Sequence, residues 1–334
     1  MSRGGAKPRV LITDYVWAST RPEREVLAAV GAEAVESDSP EEDRLAELAA
    51  DCVAIMTCFA KVTDKVIRSG AGLRIVARYG IGLDNIAVDT ATELGIPVTN
   101  VPDYCIEEVA DHTMALAMAL GRGVVRLDSD VKQGGWDLAK GRPIHRLRGS
   151  VMGLLGYGRI GRSVAQRAEA FGMRVIVYDP YLRSDMFPAG TAPELVDMDE
   201  VLAKSDFVSV HTPLTAETRH LVGTNELRRM KPSAYLVNTC RGPVVDELAL
   251  AEALNRGEIA GAGVDVLEFE PPAADHPLRT ARNAILTPHA AFYSEESVLE
   301  LQRRTAGCVA DVLRGKVPQN VRNPEVLKSA GLAP

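Results

Sequence analysis

The chain has 334 residues, of which 46% are hydrophobic and 25% charged, with a formal net charge of −7. That length exceeds what one hydrophobic core organises and fits two domains of ordinary size, in the composition of a soluble globular protein. An acidic balance with no run of Lys and Arg excludes the basic field that a nucleic-acid partner requires.

The chain opens on Met1-Ser-Arg-Gly-Gly-Ala-Lys-Pro8, a polar stretch without the apolar segment of an export signal, and nowhere do about 18 apolar residues follow one another. A cytoplasmic protein, neither exported nor embedded in a membrane, is therefore expected. Short apolar, β-branched runs at 10–13, 53–56, 73–77 and 98–99 alternate with helical patterns, which predicts βαβ units and a mostly parallel sheet. The turn after the first of these, Thr13-Asp-Tyr-Val16, has no glycine fingerprint. It suits an open α/β domain that does not grip a pyrophosphate. A helix over 107–121 follows Pro102-Asp103, and a second helical stretch over 122–134 leads to Gly134-Gly-Trp136. Both read as connectors.

A second βαβ series begins at Ser150: a strand at 151–155, a glycine-rich loop, an amphipathic helix to Phe171, and a strand at 174–178 that ends in Asp179. Strands at 207–210, 234–238, 261–264 and 284–286 follow, then one long helix over 294–313. Chain ends tend to lie close together on compact domains, so the last helix is expected to return to the first domain. The domain over 104–294 is then inserted between the halves 1–103 and 295–334. Five cysteines (Cys52, Cys58, Cys105, Cys240, Cys308) have neither disulfide-framework nor zinc-site spacing. Reduced thiols and no metal are expected.

The glycine loop is Gly153-Leu-Leu-Gly-Tyr-Gly-Arg-Ile-Gly161. Glycine clusters also mark ordinary turns. Here, however, Gly156, Gly158 and Gly161 follow a buried strand and open a helix, and the acid Asp179 stands 18 residues further on at the end of the next strand. Those are the parts of a dinucleotide-binding fingerprint. The first glycine makes the tight turn, the second lets the backbone approach the pyrophosphate, and the third packs helix on strand, with the amides of Arg159 and Ile160 facing the phosphates. Asp179 can accept hydrogen bonds from the adenosine ribose and repel a 2′-phosphate, so NAD is expected over NADP. Its neutral reading is a turn aspartate before Pro180, and Arg183 nearby leaves some NADP tolerance open.

Reducing a carbonyl with such a cofactor builds negative charge on oxygen and calls for a proton donor, a role that suits histidine. Of six histidines, His289 stands out because it follows the strand at 284–286 and Thr287-Pro288, where open α/β sheets present ligand-binding residues. Asn238-Thr-Cys-Arg-Gly242 ends another strand and offers Arg241, whose planar fork matches a carboxylate. Taken alone, an Arg before Gly is more often a surface charge. Glu270, in Glu268-Phe-Glu-Pro-Pro272, taken alone reads as a solvated acid in a proline turn.

Together these segments resemble the D-isomer-specific 2-hydroxyacid dehydrogenases. The resemblance runs from Arg78-Tyr-Gly-Ile-Gly-Leu-Asp-Asn85 through the glycine loop, His211-Thr-Pro-Leu214, Asn238 to Gly242, Val264-Asp265 and Glu270-Pro271 to Thr287-Pro-His289, which covers most of the chain. The ending His289-Ala-Ala-Phe-Tyr-Ser-Glu295 and the segment Tyr178-Asp-Pro-Tyr-Leu182 look most like the branch of the C-terminal binding proteins, NAD-sensing corepressors with a dehydrogenase body. The resemblance implies two doubly wound parallel-sheet domains, with a Rossmann NAD-binding domain inserted into a flavodoxin-like substrate-binding domain.

It also implies a catalytic trio: Arg241 clamping the substrate carboxylate, His289 as proton donor and acceptor, and Glu270 hydrogen-bonded to the imidazole. Thr212, Thr239, Cys240 and Asp265 match the family's cofactor contacts, Asp265 at the nicotinamide carboxamide. The loops Gly80-Ile81-Gly82 and Cys58-Phe59-Ala60 would complete carboxylate binding from the first domain, with chemistry in the cleft. Phe292 stands where the corepressor branch carries a tryptophan, and Ile81 where the related phosphite dehydrogenase has a lysine. An apolar wall of Phe59 and Phe292 would favour a 2-keto acid with an apolar or aromatic side chain. The helices at 107–121 and 122–134 resemble the family's dimerisation arm, so a homodimer is expected. The contrasting expectation is a non-enzymatic, NAD-responsive binding protein on the same fold.

Overall fold

The computed structural model describes residues 6–188 and 190–332, so the first five residues of the polar N-terminal stretch lie outside the described residues. The chain divides into two compact units, one drawn from residues 1–104 and 294–334, the other from 105–293.

In the first unit, β1 (Arg9–Ile12), α1 (Arg21–Ala28), β2 (Glu33–Glu36), α2 (Glu42–Ala49), β3 (Ala54–Thr57), α3 (Asp64–Ser69), β4 (Ile75–Arg78), α4 (Val88–Glu93) and β5 (Val98–Thr99) alternate in sequence. The strands pair in parallel in the order β2-β1-β3-β4-β5, the flavodoxin-like arrangement of a doubly wound sheet. Every residue of β3 and β4 is buried, as strands covered on both faces must be, and this explains the apolar runs Ala54-Ile-Met56 and Ile75-Val-Ala77. The edge strand β2, Glu-Ala-Val-Glu, has no apolar run because none of its residues is fully buried. Leu11, Ile55, Val76 and Val98 form the heart of this unit's core, each such side chain contributing about 1.5–3 kcal/mol on burial.

The second unit begins with α5 (Ile106–Gly121) and α6 (Val124–Lys132), then runs through β6 (Val151–Leu155), α7 (Arg159–Ala170), β7 (Arg174–Tyr178), β8 (Glu194–Leu195), α8 (Met198–Lys204), β9 (Phe207–Val210), α9 (Thr224–Arg229), β10 (Tyr235–Asn238), α10 (Glu247–Arg256), β11 (Gly261–Val264) and β12 (Ala284–Leu286). Its parallel sheet has the order β12-β11-β10-β9-β6-β7-β8. Counted from β6, this is the Rossmann order with a seventh strand added. A core of Met152, Leu154, Val164 and Leu120 lies on one face, and a core of Leu202, Val210, Leu236 and Leu250 on the other. Local signals punctuate the helices. Asp246 caps α10 by accepting from the amides of Leu248 and Ala249, both at 3.0 Å, and Gly257 ends it at φ 72°. The neighbouring pair β6 and β9 marks the point where strand order reverses, and ligands of such sheets bind beyond the carboxyl ends of strands at that point.

The chain then returns to the first unit as α11 (Glu295–Leu313). There Glu23 of α1 is fully buried and accepts from Tyr79 Oη at 3.2 Å and from Gln302 Nε2 at 2.8 Å. Burial pushes this carboxyl above its ordinary range against those hydrogen bonds. One acid thus pins α1, α11 and the segment leading into Gly80.

Candidate active site

The glycine loop sits just past the carboxyl end of β6. Gly156 has φ 100°, and a Cβ there would stand 2.8 Å from the carbonyl oxygen of His211. A Cβ at Gly161 would stand 2.5 Å from the carbonyl oxygen of Gly156. These two glycines are therefore dictated by the protein's own packing. Gly158, the N-cap of α7, is different: a Cβ there would meet no protein atom within 4 Å. Its smallness has no internal cause, which suits a position reserved for the close approach of a ligand. Arg159 and Ile160 open the first turn of α7, where backbone amides and the helix dipole favour phosphate.

Asp179, directly after β7, accepts from the amide of Tyr157 at 3.0 Å and from that of Tyr181 at 3.0 Å. It is a turn-organising aspartate, and the same carboxylate ties the glycine loop to the end of β7. Thr212, after β9, has a buried hydroxyl with no hydrogen-bond partner among the described residues. An orphaned buried hydroxyl is unfavourable in isolation. A dinucleotide at this strand end would supply what it lacks, so the residues present fit an NAD-like group. Thr239 is also buried, with its hydroxyl 2.8 Å from that of Thr113 on α5. The thiol and amide of Cys240 both point to Asn238 Oδ1, each at 3.1 Å. Burial pushes that thiol up to about 11, outweighing the nearby backbone donors and the Arg241 charge, so it stays protonated at neutral pH.

Two histidines follow strands at this edge, and their surroundings separate them. His211 lies 2.9 Å from Ser209 Oγ, and burial lowers its pKa to about 4. It is neutral throughout the physiological range and cannot serve as an acid there. His289 instead places Nδ1 2.7 Å from Glu270 Oε2, with both side chains partly open to solvent. The other Glu270 oxygen accepts from the amide of Leu267 at 2.9 Å. Burial alone would raise the Glu270 carboxyl. The hydrogen bond and charge of His289, the Leu267 amide and the field of Arg241 outweigh it and hold the carboxyl below its ordinary range. An ionised carboxylate only accepts, so the Nδ1 position carries the proton and Nε2 is the ring nitrogen left to exchange one.

The backbone around His289 is as specific as its side chain. His289 has φ 51°, the left-handed region that side chains rarely adopt. Its amide donates to the carbonyl of Asp265 at 2.7 Å. The Asp265 carboxylate accepts from the amides of Ala290 at 2.8 Å and Ala291 at 2.9 Å and from Thr287 Oγ1 at 2.5 Å. Asp265, only 1% exposed, thus braces the turn that carries the imidazole. Phe292 stands edge-on to the His289 ring, with centroids 6.1 Å apart, and against Tyr293 at 6.3 Å.

Arg241 follows β10, and its Nη1 donates to the carbonyl of Cys240 at 2.7 Å, while Asn238 Nδ2 donates to the carbonyl of Arg241 at 3.0 Å. The next residue, Gly242, is pressed against the loop of Glu270. A Cβ there would fall 2.0 Å from the carbonyl carbon of Leu267. This contact joins the turn bearing Arg241 to the loop bearing Glu270 and could not be foreseen from a Gly that also reads as an ordinary turn residue.

The remaining expected site residues belong to the first unit. The amides of Cys58 and Phe59 donate to Asp14 Oδ1 at 3.0 Å and Oδ2 at 2.6 Å, and the side chains of Cys58 and Ala60 are buried. Burial raises the Cys58 thiol to about 12. Phe59 alone of the three presents a half-buried side chain. Gly80 has φ 140°, and its amide donates to the carbonyl of Arg78 at 3.1 Å. The amides of Ile81 and Gly82 donate to no group among the described residues. Also among the described residues, no cluster of three or more His, Cys, Asp or Glu could hold a metal, and no helix is long and apolar enough to cross a membrane.

Asp14, Gly242 and Thr287 lie within segments already singled out in the sequence but without a role of their own, whereas His112 and Thr113 stand outside every such motif. The signal available for the latter two is a polar residue, His112, and a buried hydroxyl, Thr113, just before the apolar run Met114 to Leu120 of α5.

Residues 114–291 match the family model described as D-isomer specific 2-hydroxyacid dehydrogenase, NAD binding domain. The chain is 44% identical over 294 residues to a glyoxylate reductase of Korarchaeum cryptofilum, covering 86% of this chain and 88% of that one. It is 38% identical over 315 residues to a D-3-phosphoglycerate dehydrogenase of Methanocaldococcus jannaschii, covering 94% of this chain and 59% of that one. Among solved structures it superposes with a TM-score of 0.81 and 30% identity on D-lactate dehydrogenase from Aquifex aeolicus complexed with NAD and lactic acid, over 96% of this chain and 98% of that chain.

Proposed function

Since the chain belongs to the D-isomer-specific 2-hydroxyacid dehydrogenase family and is an NAD-dependent oxidoreductase of 2-keto and 2-hydroxy acids, we propose that His289, Glu270 and Arg241 carry its chemistry on a small 2-keto acid. The observation that supports this most directly is the 2.7 Å pairing of His289 Nδ1 with Glu270 at the carboxyl end of the sheet. When bound, NADH supplies the hydride that adds to C2 of the keto acid. His289 delivers the proton from Nε2 to the C2 oxygen as charge develops there, and takes it back in the oxidative direction. Glu270 favours the protonated ring and fixes its tautomer. The Arg241 guanidinium binds the substrate carboxylate and orients C2. Gly156, Gly158, Arg159, Ile160, Gly161, Asp179, Thr212, Thr239, Cys240 and Asp265 would hold the cofactor. Ile81 and Gly82 offer amide donors suited to a carboxylate.

For the substrate, we propose glyoxylate or hydroxypyruvate rather than an acid with a large apolar side chain. The name of the 44% identical relative favours this, and so does Phe292. The expected apolar wall needs an accessible ring, but Phe292 is 8% exposed and packs on the imidazole and on Tyr293. Its task is to support His289. Measured kcat/KM should be higher for glyoxylate and hydroxypyruvate than for phenylpyruvate, and the opposite order would overturn the assignment.

The pH profile offers a further check. Because Glu270 is held below its ordinary range, it stays ionised, and its support of the protonated imidazole persists, as pH falls through the usual carboxylate range. Replacing it by Gln removes that support. Reductive kcat/KM should then fall about tenfold at neutral pH, while in the wild type the support holds as pH falls through the usual carboxylate range, and an unchanged value in the Gln variant would exclude the pairing from catalysis. For the cofactor, Asp179→Asn removes the charge and keeps one acceptor oxygen, enough for one of the two amides of Tyr157 and Tyr181 that the carboxylate now receives on separate oxygens. The preference for NADH over NADPH should narrow about tenfold, or roughly 1.4 kcal/mol. A wild-type preference for NADPH would overturn the role given to Asp179.

A narrower kinship with the C-terminal binding proteins rests on Tyr178 to Leu182 and His289 to Glu295. We favour an enzyme over a sensor, because a carboxylate-paired proton donor serves no purpose in cofactor sensing alone. We also propose a cytoplasmic homodimer. Val124, Val125, Val131, Trp136 and Leu138, on α6 and the turn after it, are exposed hydrophobics, with Trp136 at 90%, and a second copy would cover them.

A further inference from the structure

His112, on α5, lies with its Nε2 3.0 Å from Thr287 Oγ1 and 3.5 Å from Asp265 Oδ1. The hydroxyl of Thr287 has one proton, and it goes to Asp265 at 2.5 Å. Thr287 must therefore accept from His112, which fixes the proton of that imidazole on Nε2. The same Asp265 oxygen receives the amide of Ala290, its other oxygen receives the amide of Ala291, and its carbonyl receives the amide of His289. A continuous chain of hydrogen bonds thus runs from α5 through Thr287 and Asp265 into the turn that holds His289 at φ 51°. The next residue on the helix, Thr113, makes a parallel contact with Thr239 beside Arg241, at 2.8 Å. The helix is anchored: Leu116, Ala117 and Leu120 are packed into the core beneath the sheet.

A left-handed backbone at a non-glycine residue persists only where its surroundings over-determine it. Here the surroundings are the acceptors of Asp265, and their direction depends on what holds that carboxylate. Two donors on the turn pull it toward Ala290 and Ala291, and Thr287, itself held by His112, completes its seat at the oxygen that also receives the Ala290 amide. We infer that His112 is a positioning residue for the reaction, acting through Thr287 and Asp265 to hold the His289 turn in the geometry that aims Nε2. It touches no reacting atom. The inference rests on the reading of His289 as proton donor.

The test compares His112→Ala, His112→Gln and Thr287→Val in the full-length protein. His112→Ala should lower kcat for glyoxylate reduction roughly tenfold, the scale of a small displacement of a catalytic group, while KM and the NADH Kd from fluorescence titration stay within about twofold. Gln presents an amide donor at the same reach and should recover most of the loss, which general loosening of the fold would not allow. Thr287→Val should reproduce the defect, and the double variant His112→Ala with Thr287→Val should be no worse than either single change, since both cut one chain. Wild-type kcat in His112→Ala, a defect that Gln leaves unrepaired, or multiplicative losses in the double variant would each overturn the inference. If His289→Ala itself keeps wild-type kcat, the underlying reading fails instead. If His289→Ala collapses while His112→Ala does not, only the positioning role falls.

Discussion

His289→Ala should lower kcat for 2-keto acid reduction by about a thousandfold, within the range of 10²–10⁴ expected for losing a positioned general acid. The NADH Kd should stay within about twofold, because the glycine loop, Asp179 and Thr212 lie on other strand ends of the same sheet. The two readouts separate chemistry from binding. No neighbouring histidine can take over the role, since His211 is kept neutral by burial down to about pH 4 and His112 donates its Nε2 proton to Thr287. Stopped-flow measurement of a single turnover would show whether the loss is in the chemical step. An unchanged kcat would remove His289 from the mechanism.

The second large effect is expected at Arg241. Arg241→Ala should reduce kcat/KM about a thousandfold, the sum of two charge-assisted hydrogen bonds to a carboxylate at about 1.5–3 kcal/mol each, less what water restores. The loss should fall on both kcat and KM, because a keto acid that is not held by its carboxylate is also misaligned for hydride addition. Arg241→Lys is the sharper variant. It keeps the charge but not the planar fork, and should recover less than about tenfold of the loss. If Lys restores full kcat/KM, the guanidinium acts as a charge and not as a clamp.

The fold was legible wherever burial is complete. Strands covered on both faces, such as those ending in Thr57, Arg78 and Asn238, read as apolar runs up to their last residue, and their carboxyl ends were placed within about a residue. The edge strand Glu33–Glu36 was invisible, because its glutamates belong to a strand with no fully buried residue. The glycine loop was legible because its demands are local: turn, close approach and helix start fall within six residues, Gly156 to Gly161. The pairing of Glu270 with His289 could be reached only through family resemblance, as spacing alone left Glu270 a solvated acid. What escaped notice is entirely tertiary. His112 and Thr287 are 175 positions apart in the chain, and the pressure of Gly242 on Leu267 leaves no trace in the composition of either segment.

The thiols of Cys240, half-buried, and Cys58, buried, carry a consequence for an enzyme whose proposed substrate is an aldehyde. Glyoxylate is an electrophile that a thiolate captures as a hemithioacetal, and Cys240 stands beside the arginine proposed to receive it. With that sulfur resting near 11 and Cys58 near 12, neither offers a competing nucleophile at neutral pH. The carbonyl is left to reduction, and alkylating agents such as iodoacetamide should react with both sulfurs far more slowly than with an exposed cysteine.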